Sequence, residues 1–205
     1  MLGLAFSPDS RVLASASTDG FVRVWDCASG TQKLQLEGHA KGAMSLAWSP
    51  DGKVLAVGTA DREIRLWEMP AGRERKTLKD GIRGTTLALG FSPGGKQLAS
   101  SGEDPVVLVW DLDSGRHREL AGHTKEVRGI AWSPDGAWIV SSSSDASLRL
   151  WDASTGQSRA LVTDPSSFFG AMFSRKGDVV AGCTGEGSIR FWYLNPLRAR
   201  KAPKD

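Results

Sequence analysis

The sequence predicts an all-β chain: five copies of one antiparallel unit of about four strands, packed face to face around an axis. Three observations predict it. Tryptophan recurs at Trp25, Trp67, Trp110, Trp151 and Trp192, at spacings of 42, 43, 41 and 41 residues. A second aromatic series, Phe6, Trp48, Phe91, Trp132 and Phe173, opens the turn segments FSPDS, WSPDG, FSPGG, WSPDG and FSRKG, each 19 residues before its own tryptophan. Between the two series the hydrophobic period is two rather than 3.6, which is the period of a strand. Insertions fall only between a tryptophan and the next aromatic, so the 19-residue block is the packed unit and the variable remainder is loop.

Each unit begins with an inner strand that ends in the turn-opening aromatic. After the turn comes a strand of small residues: VLASAS (Val12 to Ser17), VLAVGT (Val54 to Thr59), QLASSG (Gln97 to Gly102), WIVSSSS (Trp138 to Ser144) and VVAGCT (Val179 to Thr184). A tight turn follows, written Asp-Gly, Asp-Arg, Asp-Pro, Asp-Ala or Glu-Gly. The third strand is VRVWD, IRLWE, VLVWD, LRLWD or IRFWY, with apolar residues one and three places before tryptophan. Tryptophan points to the opposite face from those aliphatics, so both faces are apolar and each sheet must be covered on both sides. A unit of this kind cannot bury two faces alone, and stacking copies around an axis solves that. The fifth unit lacks a clear outer strand, because Pro196 and Pro203 interrupt the segment after Trp192.

Composition excludes several classes. The chain has 205 residues, 40% hydrophobic and 24% charged, close to globular averages. No stretch approaches the roughly 20 apolar residues that span a bilayer, and Met1 to Phe6 does not read as a signal peptide. The net charge of +3 resides in a basic tail, where Arg198, Arg200, Lys201 and Lys204 face only Asp205, leaving 22 basic against 22 acidic residues elsewhere. A nucleic-acid-binding surface should carry its basic excess on the folded body. Nucleic acid is therefore an unfavoured partner, and residues 198–205 are expected to be disordered. Cys27 and Cys183 have no partner spacing for zinc and cannot form a disulfide framework, which fits a reducing, cytoplasmic setting.

These residues resemble the WD-repeat (WD40) family of β-propellers. Gly38-His39 and Gly122-His123 supply the first half of that signature, and Trp25-Asp26, Trp110-Asp111 and Trp151-Asp152 the second, with Trp67-Glu68 and Trp192-Tyr193 as variants. The resemblance implies a β-propeller built from five WD-repeat blades, at residues 1–37, 38–79, 80–121, 122–162 and 163–197, the fifth lacking a clear outer strand. Seven blades are usual in that family. The arrangement therefore reads as a portion of a larger ring, a closed five-blade ring, or an open arc that pairs with a second chain.

The resemblance also implies buried hydrogen-bond networks, in which a strand hydroxyl and a turn aspartate orient a histidine and an indole N–H is the last donor. The expected members are His39, Thr59, Asp61 and Trp67 in unit two, and His123, Ser143, Asp145 and Trp151 in unit four. Units one, three and five look incomplete: unit one has Ser17, Asp19 and Trp25 without a histidine, unit three has Gly102 at the hydroxyl position, and unit five has Glu186 for the aspartate. His117 is expected to be exposed on the outer strand of unit three. A hydroxyl, an imidazole and a carboxylate invite comparison with a catalytic triad, but no open pocket or oxyanion hole is signalled. No metal-ligand spacing and no phosphate-binding loop occurs, so no catalytic residue, cofactor or metal is expected.

The expected function is a non-catalytic scaffold that binds protein or peptide through one loop face, with Lys41, Arg62, Arg83, Lys125, Arg128 and Phe168 as contact residues. A small-ligand or carbohydrate-binding propeller is the alternative, and it would be favoured by aromatics recurring at equivalent loop positions. The incomplete fifth unit raises self-association or further blades as a second expectation.

Overall fold

The computed structural model describes residues 3–194, which contain 19 strands and no helix. They form five antiparallel sheets in series. The first holds β1 (Gly3–Phe6), β2 (Val12–Ala16), β3 (Val22–Asp26) and β4 (Gln32–Leu36), and the second β5 (Ala43–Trp48), β6 (Val54–Thr59), β7 (Ile64–Glu68) and β8 (Arg73–Leu78). The third holds β9 (Thr86–Phe91), β10 (Gln97–Gly102), β11 (Val107–Asp111) and β12 (His117–Leu120). The fourth holds β13 (Val127–Trp132), β14 (Trp138–Ser143), β15 (Ser147–Asp152) and β16 (Ser158–Thr163), and the fifth only β17 (Phe168–Phe173), β18 (Val179–Thr184) and β19 (Ile189–Tyr193). The five-blade architecture with a three-stranded last blade is thus the one the repeats predict. The basic tail lies outside the described residues.

Local chemistry sets the turns. In the second blade Ser49 Oγ donates to Asp51 Oδ1 at 2.6 Å and accepts the Val54 amide at 2.9 Å, closing the SPDG segment on itself. Gly52 completes that turn at φ 70°, a left-handed conformation that a side chain would strain. The same serine–aspartate pair closes the turn at Ser7 and at Ser133. At the far end of the third strand, the aspartate of Trp-Asp accepts backbone amides of the next turn: Asp111 Oδ1 takes the Ser114 N–H and Asp152 Oδ1 the Ser154 and Thr155 N–H groups. That half of the signature therefore forms the outer hairpin.

The core lies between blades. Val22 and Val24 pack with Leu55, Val57 and Trp67 of the next blade; Ile64 and Leu66 with Leu98, Leu108 and Trp110; Val107 and Val109 with Ile139 and Trp151; Leu148 and Leu150 with Val180 and Trp192. Each blade thus offers its aliphatics forward and its tryptophan backward, as a period-two strand with apolar residues of both parities requires. The second aromatic series adds polar ties across the same seams, with Trp48 Nε1 donating to the Ala5 carbonyl at 3.1 Å and Trp132 Nε1 to the Gly90 carbonyl at 2.9 Å. The innermost strands pack in sequence, β1 on β5, β5 on β9, β9 on β13 and β13 on β17. No comparable contact joins β17 to β1, so the described residues form an arc and not a closed five-blade ring.

Candidate functional site

One end of the arc gathers the turns between second and third strands and the connections that lead to each new inner strand. Blade four builds a complete polar chain there. Trp151 Nε1 donates to Ser141 Oγ at 2.7 Å, and Ser141 Oγ lies 2.7 Å from His123 Nε2. His123 Nδ1 lies 2.8 Å from Asp145 Oδ2, which also accepts the Thr124 amide, while Asp145 Oδ1 accepts the Ser147 amide and hydroxyl. A carboxylate can only accept, so the proton sits on Nδ1 and the Ser141 hydroxyl donates to Nε2. Burial pushes His123 below its ordinary 6.5 despite the neighbouring carboxylate, which keeps the ring neutral at pH 7. Burial also opposes ionisation of Asp145, but hydrogen bonds from Ser147, the Thr124 amide and His123 outweigh it and lower its pKa to about 2.

The hydroxyl in this chain is Ser141, not Ser143. Ser143 Oγ instead donates to the Glu126 carbonyl at 2.8 Å and accepts the Asp145 amide at 3.0 Å, as a turn cap. The register explains the difference: Trp151 pairs with Ile139, and Ser141 is its diagonal neighbour two residues along, within reach of an indole, whereas Ser143 lies a further two residues away. The position ten residues before tryptophan is therefore the one that matters. Ser15 fills it in blade one and Ser100 in blade three, accepting Trp25 Nε1 at 2.9 Å and Trp110 Nε1 at 2.8 Å. Gly102 is consequently not the hydroxyl position of blade three.

Blade two departs from expectation more sharply. The critical position is Val57, and both His39 Nε2 and Trp67 Nε1 are buried without a hydrogen-bond partner. His39 Nδ1 reaches the Gly20 carbonyl at 3.3 Å. Asp61 does not hold the imidazole; it accepts the Lys41 amide at 3.2 Å and pairs with Lys41 Nζ at 3.5 Å. Thr59 Oγ1 donates to the Glu63 carbonyl and caps the turn, as Ser143 does. His117, expected to be exposed, is half-buried on β12 with its ring 4.8 Å from that of Trp110. It covers the blade-three tryptophan from the outer strand, where the other blades use a loop histidine or none.

The expected contact residues divide into two groups. Lys41, Arg62, Arg83 and Lys125 are exposed at this end of the arc. Lys41 is paired with Asp61, and Arg83 bridges Asp104 at 3.5 Å and Glu119 at 3.1 Å, while Arg62 and Lys125 carry no ion pair among the described residues. Phe168 is no surface anchor: it opens β17, is 0% exposed, and stands edge-on to Trp192 at 5.9 Å. Nor is Arg128 a loop residue, since it lies within β13, where Nε donates to Glu126 at 3.0 Å and to Ser144 at 2.9 Å.

A feature missed in the sequence organises this end. In β5, β9, β13 and β17 the pairing register skips one residue, and the residues skipped are Met44, Leu87, Arg128 and Phe169. Each stands four places before the turn-opening aromatic, an offset that fixes its place in the blade but carries no common residue type. A bulge leaves its extra residue out of the ladder and re-aims its side chain. Four blades therefore present one re-aimed residue each near the start of the innermost strand, and one neighbouring pair meets: the Arg128 guanidinium lies 5.0 Å over the Phe169 ring, which is 50% exposed. Among the described residues no cluster of three or more His, Cys, Asp or Glu is arranged to hold a metal, and no helix is long and apolar enough to cross a membrane.

No significant match was found among curated proteins. The family model for the WD domain, G-beta repeat, matches residues 2–26, 30–68, 73–111 and 115–152, each segment closing on the residue after its tryptophan. Members of that family are generally interaction scaffolds without catalytic activity. With more than half of the chain matched in the register that the sheets display, the protein belongs to the WD-repeat family.

Proposed function

We propose that this chain is a non-catalytic scaffold that holds a protein or peptide segment on the loop end of its arc, with Arg128 and Phe169 as central anchors and Arg62 and Lys125 as flanking cations. The carrying observation is the bulge repeated at one position in four blades, which sets Met44, Leu87, Arg128 and Phe169 on a rigid sheet framework instead of on free loops. Aromatic and arginine side chains held this way are the residue types that dominate binding energy in protein interfaces. The two cations without an ion pair among the described residues favour a segment carrying carboxylates beside an apolar side chain. Only one of the four bulge residues is aromatic, which argues against a repeated sugar-stacking site.

A catalytic role for the serine–histidine–aspartate run in blade four is opposed by its geometry. Ser141 is fully buried, and its oxygen already accepts the Trp151 N–H while its proton goes to His123. Cys27 and Cys183 are both free, in keeping with a reducing compartment. Peptide-display selection on the immobilised chain tests the reading. Enriched peptides should pair acidic with apolar residues, and Arg128→Ala with Phe169→Ala should weaken their binding at least tenfold. Undiminished binding to the double variant would place recognition elsewhere.

A further inference from the structure

The chain forms one kind of seam four times, always between the forward face of one blade and the backward face of the next. Among the described residues, blades one and five each leave half of that seam bare. On blade five, Ile189 and Phe191 occupy the positions of Leu148 and Leu150, three and one before tryptophan. In blade four those positions are 0% and 2% exposed because blade five covers them, whereas Ile189 and Phe191 are 62% and 63% exposed. Met172 and Tyr193 extend the same bare surface. On blade one the backward face is open in the complementary way. Leu4 and Phe6 are 54% and 62% exposed, and Leu13 and Trp25 are half-buried where their counterparts in blades two to four are buried.

We propose that the forward face of blade five receives the backward face of blade one from a second copy of this chain, so that copies join head to tail through a fifth seam of the kind each already contains. The chain's own blade one does not fill that place, since no contact like those between consecutive blades joins β17 to β1. The occupant must bring an apolar inner strand and a tryptophan-bearing third strand of matching spacing, and this chain carries both. Large apolar side chains exposed together on one sheet face mark a site of association. The contact is heterologous: the two surfaces differ, so it closes only if its rotation returns to the start and otherwise extends as a chain of copies. It is separate from the loop end, so a failure here leaves the peptide-binding proposal standing, and the reverse also holds.

Multi-angle light scattering on the full chain at high micromolar concentration reads the prediction: at least twice the mass of one chain, falling on dilution. One variant carries Ile189→Glu and Phe191→Glu, the other Leu4→Glu and Phe6→Glu. Circular dichroism melts show that each folds, and each alone should run as a monomer. Mixed in equal amounts, they retain one intact face of each kind and should form a dimer that grows no further. A parent chain that stays monomeric overturns the proposal. So does association that survives either variant, and so does a mixture that remains monomeric, because a heterologous seam must be rescued by that mixture.

Discussion

Replacing Asp145 by alanine removes the acceptor on which the blade-four chain ends. Its ordinary pKa of 3.8 is lowered to about 2 in the fold. A shift of that size corresponds to roughly 2 to 3 kcal/mol of stability at neutral pH. Of the donors left behind, the Ser147 amide and His123 Nδ1 are part-buried, and their unmet hydrogen bonds account for a loss of the same order, whereas the Thr124 amide is exposed and water can take it up. The two figures describe one interaction and are not summed. For a chain of this length, about 2 to 4 °C is lost per kcal/mol, so the melting temperature should fall by roughly 5 to 10 °C at pH 7.

The matched control is Asp61→Ala in blade two, which touches only the Lys41 amide and ammonium and should cost no more than about 1 kcal/mol. Acid adds a second reading. Asp145 contributes fully above pH 3.8, and that contribution is lost as pH falls towards 2. His123, held below 6.5, contributes above pH 6.5 and costs stability as pH falls, because the unfolded chain takes up the proton first. The Asp145 hydrogen bond and charge raise the His123 pKa, so removing them depresses it further, and the gap between variant and parent should not narrow as pH drops from 7 to 5. Melts of all three proteins at pH 7 and pH 5 decide the matter. Equal losses for Asp145→Ala and Asp61→Ala, or a gap that narrows at pH 5, would refute the network as drawn.

Ser141→Ala strips one hydroxyl from both Trp151 Nε1 and His123 Nε2 and should lower stability by about 1 to 3 kcal/mol in a denaturant titration, whereas Ser143→Ala, a turn cap, should cost less. Val57→Thr supplies blade two with the hydroxyl that its buried His39 Nε2 and Trp67 Nε1 lack; it should melt no lower than the parent and well above Val57→Ala. Phe168→Ala empties a fully buried site and should cost about 3 to 5 kcal/mol, while Phe169→Ala, half-exposed, should leave the melting temperature within about 2 °C and act on binding instead.

The strands, their order and the pairing of tryptophan seams were legible because they rest on period-two parity and on spacing, and both survive in the linear sequence. Ile64 and Leu66 could be assigned to one face and Trp67 to the other from the residues alone. The polar chain was less legible, because it depends on register. Residues that look adjacent on paper, such as Ser143 and Asp145, share a turn, while the hydroxyl that meets the indole belongs to the diagonal neighbour of Trp151 on β14. Family resemblance named the right residue types and, for the hydroxyl, the wrong position. Resemblance also suggested a full network in blade two, where Val57 prevents one.

The bulge had a different reason for escaping notice. A bulge is defined by two residues on one strand opposing one on its partner, so it exists only in the pairing and leaves no mark on the hydrophobic alternation. That is also why Phe168, expected among the contact residues, is found in the core. An uninterrupted alternation does not say which of two consecutive phenylalanines turns inward. The skipped register at β17 buries the first against Trp192 and releases the second towards Arg128. The same irregularity in β5, β9 and β13 makes that release a property of the repeat and not an accident of one blade. Packing seams and the proposed recognition surface are therefore separated within a single strand: residues after the bulge, such as Ile130 and Trp132, hold blade to blade, while the bulged residue is free to vary from Met44 to Arg128 to Phe169 without disturbing them.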